Sequence, residues 1–139
     1  MTLVCPRAIH ERLLEHASAG APLEVCGVLG GSFDPVESRV ESHHPLENVA
    51  RDPRRRYEID PEAALECFES LEDRGQELVG FYHSHPTGPA EPSETDRAMA
   101  AWPDRSYVIV SLQDGDARIG AWRWDESCAS FERESIVLE

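Results

Sequence analysis

Apolar residues along this chain follow two spacings, one helical and one extended. In residues 6–18 they recur every three or four positions. Ile9, Leu13, Leu14 and Ala17 share one face, Pro6 stands near the start, and Gly20 ends the predicted helix. A second helix is predicted from Asp60, an N-cap, with Pro61 at the first helical position. Ala64, Leu65, Phe68 and Leu71 form its buried stripe, and Gly75 stops it. A third, short helix opens at Ser93 in the run SETDRAMAA.

The extended segments alternate with these. Residues 25–33 read as a strand, Gly-rich so that backbone can lie close to a neighbour; residues 36–42 read as an exposed strand paired with it. Residues 77–82 form a third strand. Residues 107–110 are apolar on both faces and should be central. Residues 117–124 form a further strand, with Trp122 and Trp124 on one face as core or edge cover, and residues 131–138 form a last strand at an edge. Residues 48–56 read as a polar connector, and His43-His44 as a solvated loop pair. This order of elements predicts a single α/β domain over residues 1–139, a mixed sheet flanked by helices.

Composition narrows the class. At 139 residues one core is expected. The net charge is −14, and all 13 basic residues are Arg. Such a chain should avoid nucleic acid and anionic membranes. The Arg54-Arg55-Arg56 island is the exception, and a plain solvated turn accounts for it. The Lys-free, acidic balance fits a salt-adapted cytoplasm, and hence a halophilic source; protection of the chain itself from Lys-directed modification is the competing explanation. The first 20 residues are too polar for a signal peptide, and no apolar run approaches the roughly 18 residues of a membrane span. Cys5, Cys26, Cys67 and Cys128 are widely spaced and form no C-x-x-C pair, so they read as packed or idle thiols in a reducing compartment. The expected location is the cytoplasm.

The chemistry concentrates in residues 81–97, FYHSHPTGPAEPSETDR. Residues two apart on a strand point the same way, so His83 and His85 aim both rings at one point at the strand's end. Pro86, Gly88, Pro89 and Pro92 then forbid regular structure, and the loop swings the next helix start back over the histidines. Asp96 sits one turn into that helix, on the face of Ser93. Two His and one carboxylate are the ligand set of a catalytic zinc site, with a fourth position left for water. Ser93-x-x-Asp96 is also an ordinary capping arrangement, and the two roles are compatible.

With these residues in view, the chain resembles the JAMM-motif metallopeptidases of the MPN-domain family. His83-Ser84-His85-Pro86, then Ser93 and Asp96, match the motif, and residues 22–31, PLEVCGVLGG, match its upstream element carrying a Glu. The resemblance implies a cytidine-deaminase-like fold and one zinc ion per chain, held by His83, His85 and Asp96. It implies Glu24 as general base and Ser93 as the donor that steadies the tetrahedral intermediate. It also implies a substrate: a ubiquitin-like modifier, released from target proteins after its C-terminal Gly-Gly, or a ubiquitin-like sulfur-carrier protein freed from its adduct. Two other readings compete. A non-catalytic MPN scaffold typically lacks a ligand, whereas all are present here. A RadC-type relative shares a segment similar to His83–Gly88, but the acidic charge argues against DNA. The missing H-x-E and P-C-x-x-C argue against a deaminase despite the related fold.

Overall fold

The computed structural model describes all residues from Met1 to Glu139. In chain order the elements are β1 (Thr2–Cys5), α1 (Arg7–Gly20), β2 (Cys26–Ser32), β3 (Glu37–Leu46), α2 (Pro61–Asp73), β4 (Glu77–His85), α3 (Glu94–Met99), β5 (Ser106–Ser111), β6 (Arg118–Asp125) and β7 (Ser130–Leu138). All seven strands join one mixed sheet in the order β1-β3-β2-β4-β5-β6-β7, and β7 pairs in parallel with β1.

That last pairing corrects the expected flanked sheet. The sheet closes into a barrel, so β7 is not an edge strand. The strand that closes it, β1, is only four residues long, too short to show a period in the sequence. A second correction concerns His43 and His44. They lie within β3, opposite Leu29 and Val28, and not in a loop; Ser42 Oγ lies 2.9 Å from His44 Nε2.

Alternation along the strands divides the core. Leu29, Tyr82 and Val108 pack with Ile9, Leu13 and Ala17 of α1. Val28, Phe81 and Tyr107 point the other way and pack with Cys67 and Leu71 of α2. Gly27 lies where a Cβ would collide with the Tyr82 ring and the His44 carbonyl, which explains the glycine-rich β2. The α2 start is as predicted: Asp60 caps it by accepting from Ala63 N at 3.2 Å. Its stripe is not. Leu71 is buried, but Leu65 is 57% exposed. Trp124 is buried in the α2 cluster, while Trp122 is half-buried and donates from Nε1 to the Ala90 carbonyl at 3.3 Å. Cys5, Cys26 and Cys67 are buried free thiols and Cys128 is exposed.

A buried ion pair joins β6 to β7. Arg123 Nε donates to Glu134 at 2.7 Å, and Arg123 also donates to the Pro35 carbonyl at 2.7 Å. Ser106 Oγ donates to the other Glu134 oxygen at 2.6 Å, so the carboxylate is satisfied from both sides.

Candidate metal centre

The strand β4 runs three residues further than the sequence pattern suggested and carries His83 and His85 to its C-terminal end. Both are buried, 1% and 7% exposed, with their Nε2 atoms 3.1 Å apart. Parallel pairing with β5 places Ile109 and Ser111 beside them. The proline-rich loop then returns the chain. Ser111 Oγ donates to the Gly88 carbonyl at 2.6 Å, and His85 Nδ1 meets the Pro89 carbonyl at 2.8 Å.

At the start of α3 the capping box is complete. Ser93 Oγ accepts from Asp96 N at 3.0 Å, and Ser93 N donates to Asp96 Oδ2 at 2.9 Å. The same Oδ2 lies 3.2 Å from His83 Nε2 and 3.1 Å from His85 Nε2. The capping geometry therefore orients the carboxylate that the histidines face. The Ser93 hydroxyl uses its oxygen as acceptor and keeps its proton for another partner.

Glu24 enters from the opposite side. Cys26 of β2 pairs with His83, so Glu24, two residues earlier, extends toward His85. Its carboxylate and the two imidazoles have ligand atoms within 4.8 Å of one another. Glu24 is 6% exposed, and its Oε1 has no hydrogen-bond partner. Two sets of three thus share the histidines, one completed by Asp96 and one by Glu24. The Asp96 oxygen is nearly equidistant from both rings, at 3.2 and 3.1 Å.

The backbone around Glu24 is held from both sides. Ser84, the residue between the histidines, accepts from Val25 N at 2.8 Å and donates its own N–H to the Val25 carbonyl at 3.0 Å. Glu24 N donates to the Pro53 carbonyl at 2.7 Å, and Asn48 Nδ2 donates to the Glu24 carbonyl at 2.9 Å. Tyr57 stacks on His83, with ring centroids 4.3 Å apart. Ser84, Asn48 and Tyr57 escaped the sequence reading because their partners lie 59, 24 and 26 residues away and no local spacing marks them.

The electrostatics follow from burial. Burial pushes the Glu24 carboxyl up to about 7; His85 works against the rise and Asp96 adds to it. Burial lowers His83, with Asp96 opposing. Burial would lower His85 too, but hydrogen bonds to Asp96 and the Pro89 carbonyl outweigh it and the net shift is upward. Asp96, although buried, is held well below the usual carboxylate range by both imidazoles.

A cation fits this donor set. The Pro89 carbonyl assigns the proton of neutral His85 to Nδ1, so its Nε2 presents a lone pair to the Asp96 carboxylate. The lone pairs of His85 Nε2 and Asp96 Oδ2, 3.1 Å apart, repel unless a proton or a metal cation lies between them. Tetrahedral bonds of about 2.0–2.1 Å put ligands about 3.3 Å apart, close to this separation. The unpartnered Glu24 oxygen is the second sign that the pocket is built for something further. Beside it, an apolar groove of about 620 Å³ opens from Tyr57 past Leu65, Phe68, Met99, Trp102 and Tyr107.

A barrel-closed α/β sheet with two histidines, two carboxylates and a capping serine at one strand end defines a metal-centred hydrolase-like site. The family model described as prokaryotic homologs of the JAB domain matches residues 6–125, and the chain belongs to this family. A desampylase from Haloferax volcanii is 43% identical over 93% of this chain and 91% of its own length. A CysO-cysteine peptidase from Mycobacterium tuberculosis is 38% identical over 73% of this chain and 68% of its own. The solution structure of a protein from Desulfitobacterium hafniense superposes with a TM-score of 0.88 at 30% identity, covering 99% of this chain and 92% of that one.

Proposed function

We propose that this protein is a zinc-dependent isopeptidase that releases a ubiquitin-like modifier from target proteins. The observation that carries the reading is the convergence of His83 Nε2, His85 Nε2 and Asp96 Oδ2 beside the buried, unpartnered carboxylate of Glu24. The similarity to a desampylase across nearly the whole chain supports the substrate class.

In this reading His83, His85 and Asp96 hold one zinc ion. When bound, zinc supplies Lewis acidity and lowers the pKa of a coordinated water from 15.7 to about 7. Glu24 takes a proton of the attacking water and passes it to the leaving amine; with the second water proton also transferred, one water and one amide become a carboxylate and an ammonium group. Its carboxyl, pushed up to about 7, suits both transfers near neutral pH. Ser93 donates its free hydroxyl proton to the oxygen that gains charge. Tyr57 covers the His83 ring and excludes water from that side. The groove beginning at Tyr57 accepts apolar side chains of the modifier's extended tail.

A second reading has its own support. The 38% identity to a CysO-cysteine peptidase favours hydrolysis of a sulfur-carrier adduct by the same residues. Parallel assays on a Lys-linked conjugate and on a carrier protein ending in a single added amino acid separate the two. Zinc content after dialysis tests the ligand set: one ion per chain is expected, and none in Asp96→Ala with His83→Ala.

A further inference from the structure

We propose that Asn48 is a positioning residue for Glu24, acting through the closed loop of residues 48–59; this rests on the reading of Glu24 as the base. Glu24 lies two residues before β2 and takes no part in its ladder. Both of its backbone groups are instead held by one loop: Glu24 N donates to the Pro53 carbonyl at 2.7 Å, and the Glu24 carbonyl accepts from Asn48 Nδ2 at 2.9 Å.

Asn48 is the point at which that loop is closed. It bridges Ile59 across the loop's base, and Val49 N donates to the Glu58 carbonyl at 2.9 Å. The side chain uses its full amide. Oδ1 accepts from Ala50 N at 3.0 Å and from Glu58 N at 3.1 Å. Nδ2 donates to the Arg56 carbonyl at 3.0 Å as well as to Glu24. The acceptor half therefore shapes the loop, and the donor half both ties the loop to itself at Arg56 and fastens it to Glu24. The same loop carries Tyr57, so closing it also sets the ring over His83.

The division between the two halves makes the role testable. Asn48→Asp keeps the acceptor for Ala50 and Glu58, and the Val49–Glu58 backbone bond is untouched, but it turns an oxygen toward the Glu24 and Arg56 carbonyls. Asn48→Ala removes both halves. A residue that only shapes the loop predicts loss in Asn48→Ala and recovery in Asn48→Asp. A positioning residue predicts loss in both, because small misplacement of a reacting group costs up to about a hundredfold.

The experiment uses full-length, zinc-loaded wild type, Asn48→Ala, Asn48→Asp and Glu24→Ala with a Lys-linked conjugate. The expected result is a kcat about ten- to a hundredfold lower in both Asn48 variants, KM within about threefold, and zinc still at one per chain. Amide exchange at Glu24 should quicken about tenfold in both, a readout independent of activity. Wild-type kcat in Asn48→Asp, or zinc lost in proportion to activity, overturns the proposal. If the wild type cleaves nothing, the isopeptidase reading fails, and exchange alone decides: unchanged protection at Glu24 then overturns the role of Asn48.

Discussion

His85 gives its Nδ1 proton to the Pro89 carbonyl at 2.8 Å and so turns the lone pair of Nε2 toward Asp96. The bond fixes the tautomer from a loop whose prolines cannot join a sheet, and it links metal affinity to pH. Bonds to Asp96 and the Pro89 carbonyl raise the His85 pKa above that of a free imidazole, so protons compete with metal for it more readily as pH falls. Zinc affinity measured by competition with a chelator should therefore drop at least tenfold between pH 7.5 and 5.5. A flat profile would show that His85 is not a ligand.

Glu24 carries opposite consequences for activity and stability. In its proposed role as base its carboxyl must be ionised, so kcat/KM should rise with pH along the acidic limb. Its folded value lies above its unfolded one, so the folded state holds more protons between about pH 4.5 and 7, and stability falls as pH rises through that window. Glu24→Gln should abolish cleavage. In metal-free protein at pH 8 it should also raise Tm by a few degrees, on the order of 1–2 kcal/mol. An unchanged or lower Tm would argue that the carboxylate is not strained by burial.

Ser93 caps α3, and the proposed reaction gives its hydroxyl a second role; two substitutions separate the two. Ser93→Ala loses the cap, about 1 kcal/mol, and the donor, about a hundred- to a thousandfold in kcat. Ser93→Asp keeps an N-cap acceptor but has no proton to give, so thermal stability should return while activity does not. Recovery of both in Ser93→Asp would reduce the serine to a cap.

The stacked ring of Tyr57 leads to a simpler expectation. The ring, not the hydroxyl, covers His83. Tyr57→Phe should keep near wild-type activity and zinc affinity, whereas Tyr57→Ala should weaken both by about tenfold. Equal loss in the two variants would assign the effect to the phenol.

The sequence revealed the centre more fully than the frame around it. His83, His85, Ser93 and Asp96 lie within one window, where strand alternation and a capping box dictate geometry, and the structure brings them together. Helices α1 and α2 were legible from their spacing and caps. Closure of the barrel was not, because β1 is too short to carry a period and β7 pairs with it across the length of the chain. Leu65 read as core because its helical spacing matched the stripe; the groove beside it leaves it exposed. Residues 48–56 read as a polar connector because their hydrogen bonds run to Glu24, far upstream.

The acidic surface bears on conditions for assay. With a net charge of −14 and no Lys, self-repulsion weakens as salt screens it. Thermal midpoint and cleavage rate should both increase from low salt to molar potassium chloride. Full activity in low salt with no gain would count against salt adaptation.

The central claim is tested most directly by incubating zinc-loaded protein with a Lys-linked conjugate of a ubiquitin-like protein, beside Glu24→Ala and a chelator control. The account predicts free modifier with an intact C-terminus, released by the wild type alone and restored after chelation by added zinc. Release that persists in Glu24→Ala or in excess chelator would contradict it, as would no release by protein that holds one zinc per chain.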